Sequence, residues 1–127
     1  MSIHQQVTFS CGPSALYQAL TDAGAFAEWT GAPAEIEPAE GGTFQAFGGK
    51  ITGRTIELRS GRRIVQAWRV ADWPEGIYSI VRFEFDGDGE KTRVTLDQDG
   101  HPAEAEPHLD GGWHKMYWEP LQAHCEA

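Results

Sequence analysis

Long apolar runs are missing from this sequence of 127 residues. No stretch reaches the roughly 18 apolar residues that a membrane-spanning helix needs. The first residues, Met1 to Gln6, lack both the basic and the apolar region of a signal peptide. These absences predict a cytoplasmic protein that makes no membrane contact.

Basic residues are scarce. Ten Lys and Arg residues stand against nineteen Asp and Glu residues, for a formal charge of −9. Nucleic-acid binding depends on Lys and Arg side chains that displace counterions from phosphates. The charge balance therefore predicts no nucleic-acid partner and favours solubility as the reason for the acidity.

Cysteine is scarce too, with only Cys11 and Cys125 at opposite ends of the chain. Neither has metal-ligand spacing, and disulfide frameworks usually need more cysteines in an oxidising compartment, so two free thiols are predicted. The five histidines match no zinc motif. No metal site and no cofactor are predicted.

A single domain over residues 1–127 suits this length. A first strand is predicted over residues 3–10. Pro13 suits the first turn of a helix, where its missing N–H costs nothing. Asp22 can cap a second short helix, which presents Phe26 and Trp29.

Six further strands are predicted from β-rich segments between turn residues. Short glycine-containing links between them favour antiparallel pairing, because parallel strands need long crossovers. In the fifth of these strands, Val81, Phe83 and Phe85 share one face with Ser79, so one face of the sheet is buried. A bulge is expected at residues 54–55. The strands cover residues 34–37, 43–47, 50–59, 62–70, 78–85 and 91–97.

The last segment, residues 110–126, predicts a long amphipathic helix that covers the buried face of the sheet. Pro120 lies inside it and removes one backbone hydrogen bond, so a kink near Met116 is expected. The apolar stripe consists of Trp113, Met116, Tyr117, Leu121 and His124.

Several phrases, in this order along nearly the whole chain, resemble those of one known superfamily. They are Phe9, Ala15-Leu16-Tyr17-Gln18-Ala19-Leu20, Ala27-Glu28-Trp29-Thr30, Glu40-Gly41-Gly42-Thr43-Phe44, Gly49-Lys50-Ile51-Thr52-Gly53, Arg63-Ile64-Val65-Gln66-Ala67-Trp68-Arg69, Thr92-Arg93-Val94-Thr95-Leu96 and Gly112-Trp113. The sequence resembles the START-like, or SRPBCC, superfamily, and within it the branch related to the C-terminal domain of Aha-type activators of the heat-shock-protein-90 ATPase. The resemblance implies an α+β helix-grip fold, in which a curved antiparallel sheet of six to seven strands surrounds a long C-terminal helix.

Members of this superfamily are hollow, so the resemblance also implies a ligand cavity between sheet and helix. The many aromatic rings would line it, as they line most small-molecule sites; the alternative is that they simply fill the core. The predicted lining is Trp29, Phe44, Gln66, Trp68, Ser79, Val81, Phe83, Trp113, His114 and Tyr117. A ligand would enter the cavity past a lid at Trp73 or past the kinked helix at Pro120. The alternative for Trp73 is an exposed anchor for a protein partner.

Three functions are compatible with this sequence. The favoured hypothesis is a non-enzymatic domain that binds a small hydrophobic or aromatic molecule, with no residue assigned a catalytic role. The second is a cyclase- or hydratase-like enzyme with His114, Tyr117 or a cavity carboxylate as general acid or base. The third is contact with a chaperone ATPase. It is less favoured because the chain has no room for the additional N-terminal domain of Aha-type co-chaperones. A homodimer is left open.

Overall fold

A computed structural model describes residues 2–126. Its seven strands are β1 (Ser2–Phe9), β2 (Glu35–Ile36), β3 (Thr43–Ala46), β4 (Ile51–Arg59), β5 (Arg63–Val70), β6 (Ser79–Gly87) and β7 (Thr92–Asp99). They form one antiparallel sheet in the order β1-β7-β6-β5-β4-β3-β2. Each predicted strand is confirmed to within two residues at either end. Tight turns make strands β2 to β7 neighbours in sequence order, and β1 pairs with the far edge at β7.

Two short helices separate β1 from β2, as predicted. They are α1 (Pro13–Thr21) and α2 (Ala23–Thr30). Pro13 begins α1, and the Asp22 carboxylate accepts the Ala25 N–H at 2.8 Å at the start of α2. This bond satisfies one of the free backbone donors of the first helical turn.

The C-terminal helix consists of three consecutive segments: α3 (Glu106–Gly112), a π-helical segment (Trp113–Trp118) and α4 (Glu119–Glu126). Pro120 has no N–H to donate to the carbonyl of Met116, four residues earlier. The wider π-helical turn precedes this position, and such turns are found where the regular helical bonding pattern is interrupted. A kink was predicted near Met116; the structure has a π-helical segment at this position, and the helix continues through it.

The predicted apolar stripe of this helix is wrong at one position. Met116 is 44% exposed, whereas Trp118 is only 3% exposed. A π-helical turn holds more residues than an α-helical turn, so the side chains within and after it change phase relative to the 3.6-residue pattern. Tyr117 and Trp118 both face the sheet as a result.

The buried face of the sheet is the one predicted from the alternation of apolar and polar residues. Ile64, Val81, Phe83, Phe85 and Leu96 lie on the inner face of the sheet and are buried. In β4 the pairing register shifts between Thr55 and Glu57. The residue between them, Ile56, is 49% exposed, so the expected bulge is confirmed. The α+β helix-grip fold is confirmed with it.

The prediction of two free thiols is wrong, because Cys11 and Cys125 form a disulfide. Cys11 follows β1, and Cys125 lies in the last turn of α4. The fold brings their Cα atoms to 5.5 Å across a sequence separation of 114. Such proximity is a property of the tertiary structure and leaves no trace in local spacing.

Within residues 2–126, no helix is both long and apolar enough to cross a bilayer.

Candidate functional site

Two buried glutamines of the sheet anchor two tryptophans of the C-terminal helix. The Trp113 indole N–H donates to Gln98 Oε1 at 2.8 Å, and the Trp118 indole N–H donates to Gln5 Oε1 at 2.7 Å. Gln5 also donates to the backbone carbonyl and to the carboxylate of Asp110, both at 2.9 Å. Because a buried amide or indole needs a partner, these pairs fix the helix on the sheet.

Ser79 extends the Gln98 contact to the next strand. Gln98 Nε2 donates to Ser79 Oγ at 3.0 Å, and that hydroxyl donates to the carbonyl of Trp68 at 2.8 Å. Gln98 and Ser79 are fully buried. Ser79 belongs to the predicted cavity lining, and its described partners are protein groups.

Aromatic rings fill the space between sheet and helix. The Tyr117 ring lies 4.4 to 6.3 Å, between centroids, from the rings of Phe26, Trp29, Phe47, Phe83 and Trp113. A void of only about 10 Å³ lies at this centre, bordered by Phe44, Gln66 and Phe83 among others. Trp29 is anchored there by an indole N–H bond to the carbonyl of Ala19 at 2.7 Å. The centre is thus a packed core.

An open groove of about 680 Å³ lies beside this core. We call it the helix-edge groove. On the sheet side it is lined by Phe47, Lys50, Ile51, Trp68 and Val70, and on the helix side by residues 107–109, 111–113 and 115–117. Trp68, Trp113 and Tyr117 are the predicted cavity residues that line this groove.

The indole N–H of Trp68 is an unused donor in this lining. Trp68 is only 2% exposed, and its Nε1 has no hydrogen-bond partner within the described part of the chain. Burial raises the pKa of the nearby Tyr117 hydroxyl, and the Trp68 N–H opposes this rise. The two groups nevertheless do not reach hydrogen-bond geometry. A buried donor without a partner costs about 1–3 kcal/mol.

The turn that borders the groove contains a strained residue. Phe47 has a φ of 53°, the left-handed region that a bulky side chain rarely adopts. Its ring packs against Phe26 and Tyr117. Such conformations cost about 1–3 kcal/mol and occur most often at functional sites.

Two adjacent glycines form part of the helical wall. At Gly111 and Gly112 an added Cβ would meet no atom within 4 Å outside the local helix. Glycine inside a helix costs roughly 1 kcal/mol relative to alanine, and here no close packing requires it. Their effect is to keep the groove wide.

The other predicted site residues lie away from this groove. Val81 and Phe83 belong to the core. His114 is exposed on the helix and does not line the groove. Trp73 is buried, with its ring 5.9 Å from that of Trp68, and Pro120 is half-buried in α4.

A different surface exposes apolar side chains on the opposite face of the sheet. Ile77, Tyr78 and Ile80 are 40%, 49% and 47% exposed, and we call them the β6 patch. The Arg69 guanidinium lies 5.7 Å from the Tyr78 ring centroid, and its Nε donates to the carbonyl of Ile77 at 3.2 Å. Tyr78 also borders a depression of about 1020 Å³ over β2 to β4.

Sequence reasoning missed Gln5 and Gln98 as the residues that hold the helix. A signal was available, because both fall on strand faces that are otherwise apolar. It also missed Phe47, Lys50 and Lys115 at the groove. For these no local signal exists, since they line one space only after sheet and helix pack together.

A model of the family described as activator of Hsp90 ATPase homolog 1-like protein matches residues 10–126. The activator of 90 kDa heat shock protein ATPase homolog 2 of Mus musculus is 30% identical over 99% of this chain and 38% of its own length. The homolog 1 of Homo sapiens is 30% identical over 91% of this chain and 34% of its own length. The chain thus spans about a third of the length of these curated relatives.

Among solved structures, the crystal structure of an HSP90 activator from Plasmodium falciparum superposes with a TM-score of 0.91. It is 28% identical and is matched over 97% of this chain and 94% of its own. The similarity therefore covers both chains almost completely.

Proposed function

The chain belongs to the family of activator of Hsp90 ATPase homolog 1-like proteins, and from this premise we propose that it is a non-enzymatic interaction domain that binds an Hsp90-type chaperone and stimulates its ATPase. The observation that carries the proposal is the near full-length match, at a TM-score of 0.91, to a chain described as an HSP90 activator. The packed aromatic core is consistent with a domain that works through its surface.

The β6 patch is the surface we propose for this contact. Exposed apolar side chains that cluster on one face mark protein interaction sites, and Tyr and Arg are enriched in such interfaces. Arg69 bonds to the carbonyls of Trp73, Pro74 and Ile77, so the loop before the patch is held in place. A surface that is ordered before binding loses less conformational entropy in the complex.

The test measures ATP hydrolysis by a purified Hsp90-type chaperone from the same organism, with increasing amounts of this protein. We expect a saturable rise in the rate, and its loss with Ile80→Glu or Tyr78→Ala. Ile56→Glu is the matched control, because Ile56 is equally exposed but lies on the β4 bulge. No rise at tens of micromolar, or equal loss with Ile56→Glu, would contradict the proposal.

A second function, small-molecule binding, is favoured by one specific observation at the helix-edge groove. Its lining contains the buried indole N–H of Trp68 without a partner. A ligand with an acceptor atom would satisfy that donor, and Trp113 and Tyr117 would cover its apolar part. The volume of the helix-edge groove, about 680 Å³, falls in the usual range for small-molecule sites.

Groove filling tests the second function. Gly111→Phe would place a ring where the added Cβ meets no atom within 4 Å, so the fold is expected to tolerate it. Native mass spectrometry of the gently purified protein should show a bound molecule in the parent chain and not in Gly111→Phe. A Gly111→Ala control keeps the groove open and should retain the molecule. Retention by Gly111→Phe would contradict binding in this groove.

A further inference from the structure

We infer that the helix-edge groove selects an amphipathic organic anion: an aromatic or aliphatic body that carries one carboxylate, sulfonate or phosphate group. This inference rests on the small-molecule binding proposed above and adds the chemical class of the ligand. It follows from the charges around the groove, from its apolar lining and from its open helical wall.

The charged residues that line the groove have the opposite sign to the net charge of the molecule. The chain has nineteen acidic residues and a net charge of −9. Among the described residues that line the groove, none carries a carboxylate, whereas two carry an ammonium group: Lys50 on the sheet side and Lys115 on the helix side. Both are exposed. These two cations, with no carboxylate among the described lining residues, attract an anionic group to the rim of the groove.

Below this rim the lining is apolar and aromatic. Trp68, Trp113 and Tyr117 are buried, with ring centroids of Trp68 and Trp113 at 5.2 Å and of Trp113 and Tyr117 at 4.4 Å. This lining favours the apolar part of a ligand, because burying apolar surface from water is favourable.

The helical wall explains how such a body fits. Gly111 and Gly112 line the groove with open space beside them, so the ligand can approach the helix backbone closely. A large side chain at either position would occupy part of this space.

The experiment compares two fluorescent probes that share one aromatic body. Anilinonaphthalene sulfonate is anionic, and phenylnaphthylamine is its uncharged parent. Probe emission and energy transfer from tryptophan are measured by titration of the natively folded protein. We expect the anion to bind about tenfold more tightly than the neutral probe. The double variant Lys50→Glu/Lys115→Glu should lower the affinity for the anionic probe by about tenfold and leave the affinity for the neutral probe unchanged.

Two controls assign the effect to the groove. Lys91→Glu changes the remaining lysine of the chain, which is exposed in the β6–β7 turn and outside the groove, and should leave both affinities unchanged. Gly111→Phe should abolish binding of both probes, while Gly111→Ala retains it. Circular dichroism and urea unfolding check that each variant is folded.

The outcomes separate the two proposals. Equal affinity for both probes, lost only in Gly111→Phe, would overturn the anion preference and leave groove binding intact. Binding of neither probe, or binding that Gly111→Phe does not reduce, would overturn both. If Lys91→Glu lowers the affinity for the anionic probe as strongly as the double variant does, the attraction is a general charge effect. That result would overturn the assignment to the groove.

Discussion

At the scale of single residues, the sheet and the helix are joined by polar contacts inside an apolar core. Gln98 is fully buried, accepts the Trp113 N–H and donates to Ser79. Each of these groups would be an unsatisfied buried polar group without its partner, which is costly. The amides thus specify where along the sheet the helix docks.

Replacing Gln98 by leucine tests this role. Gln98→Leu keeps the size of the side chain but removes the acceptor of the Trp113 indole, so we expect the free energy of unfolding to fall by about 2–4 kcal/mol. Gln6→Leu, on the exposed face of β1, should change it by less than about 0.5 kcal/mol. Urea unfolding measures both. A loss from Gln98→Leu no larger than that of the control would refute the argument.

Tyr117 makes stability sensitive to alkaline pH. Burial raises the pKa of Tyr117 in the folded state, so the fold favours the neutral phenol. Its contribution is complete below the ordinary tyrosine pKa of about 10 and is lost as the pH rises above it. We expect the urea midpoint to fall above about pH 10, and to fall less in Tyr117→Phe. The exposed Tyr78→Phe is the control, and an equal effect of both variants would contradict this assignment.

At the scale of elements, the π-helical segment decides which faces of the C-terminal helix meet the sheet. It directs both Tyr117 and Trp118 inward, with exposed fractions of 4% and 3%, and leaves Met116 outside. The Trp118 ring packs against Phe9 at 5.9 Å and donates to Gln5. One irregular turn therefore adds a second tryptophan anchor.

Alanine substitutions at these two positions distinguish the observed helix from a regular one. Trp118→Ala should lower the free energy of unfolding by about 3–5 kcal/mol, because it empties a filled core position. Met116→Ala should lower it by less than about 1 kcal/mol, because the side chain is exposed. Thermal or urea unfolding gives the values. The reverse order would indicate a regular α-helix with Met116 buried.

The elements themselves were largely predictable from the sequence. Strand bounds follow from turn residues such as Gly61 and from alternation in β6, because both act over a few neighbouring residues. The phase of the helix over residues 113–118, before Pro120, was not predictable in the same way. A missing hydrogen bond can be relieved by a bend, a break or a π-helical turn, and the packing of Trp118 on the sheet selects the last.

At the scale of the whole molecule, the two ends of the chain are joined. Cys11 follows the edge strand β1, and Cys125 lies near the end of α4. The bond links α4, which ends the chain, to the segment between β1 and α1. It encloses nearly the entire chain in one loop.

The disulfide should contribute strongly to stability. A cross-link over a sequence separation of 114 reduces the entropy of the unfolded chain by an amount worth about 4–5 kcal/mol. Dithiothreitol should therefore lower the urea midpoint of the parent protein and have no effect on Cys11→Ser/Cys125→Ser. Thiol alkylation followed by mass spectrometry reports the bond directly. Two alkylated cysteines in the untreated folded protein would contradict it.

The candidate site depends on this largest scale. Face alternation and helical spacing placed Trp68, Trp113 and Tyr117 on the apolar faces of sheet and helix, and the family resemblance implied that they line a cavity. The structure brings them together at the groove. That this space lies beside a filled core, instead of at its centre, depends on ring packing around Tyr117. Ring packing is a three-dimensional fit among residues from α2, the β3–β4 turn, β6 and the helix, so strand and helix periodicity cannot reveal it.

The sequence by itself determined the strands, the two short helices, the amphipathic C-terminal helix and the family resemblance. Each of these depends on residue chemistry within a few positions or on the order of such segments along the chain. Only the tertiary structure decided the pairing of glutamines with tryptophans, the phase of the helix, the disulfide and the position and charge of the groove. These depend on contacts between residues far apart in sequence, and such contacts are set when sheet and helix pack together.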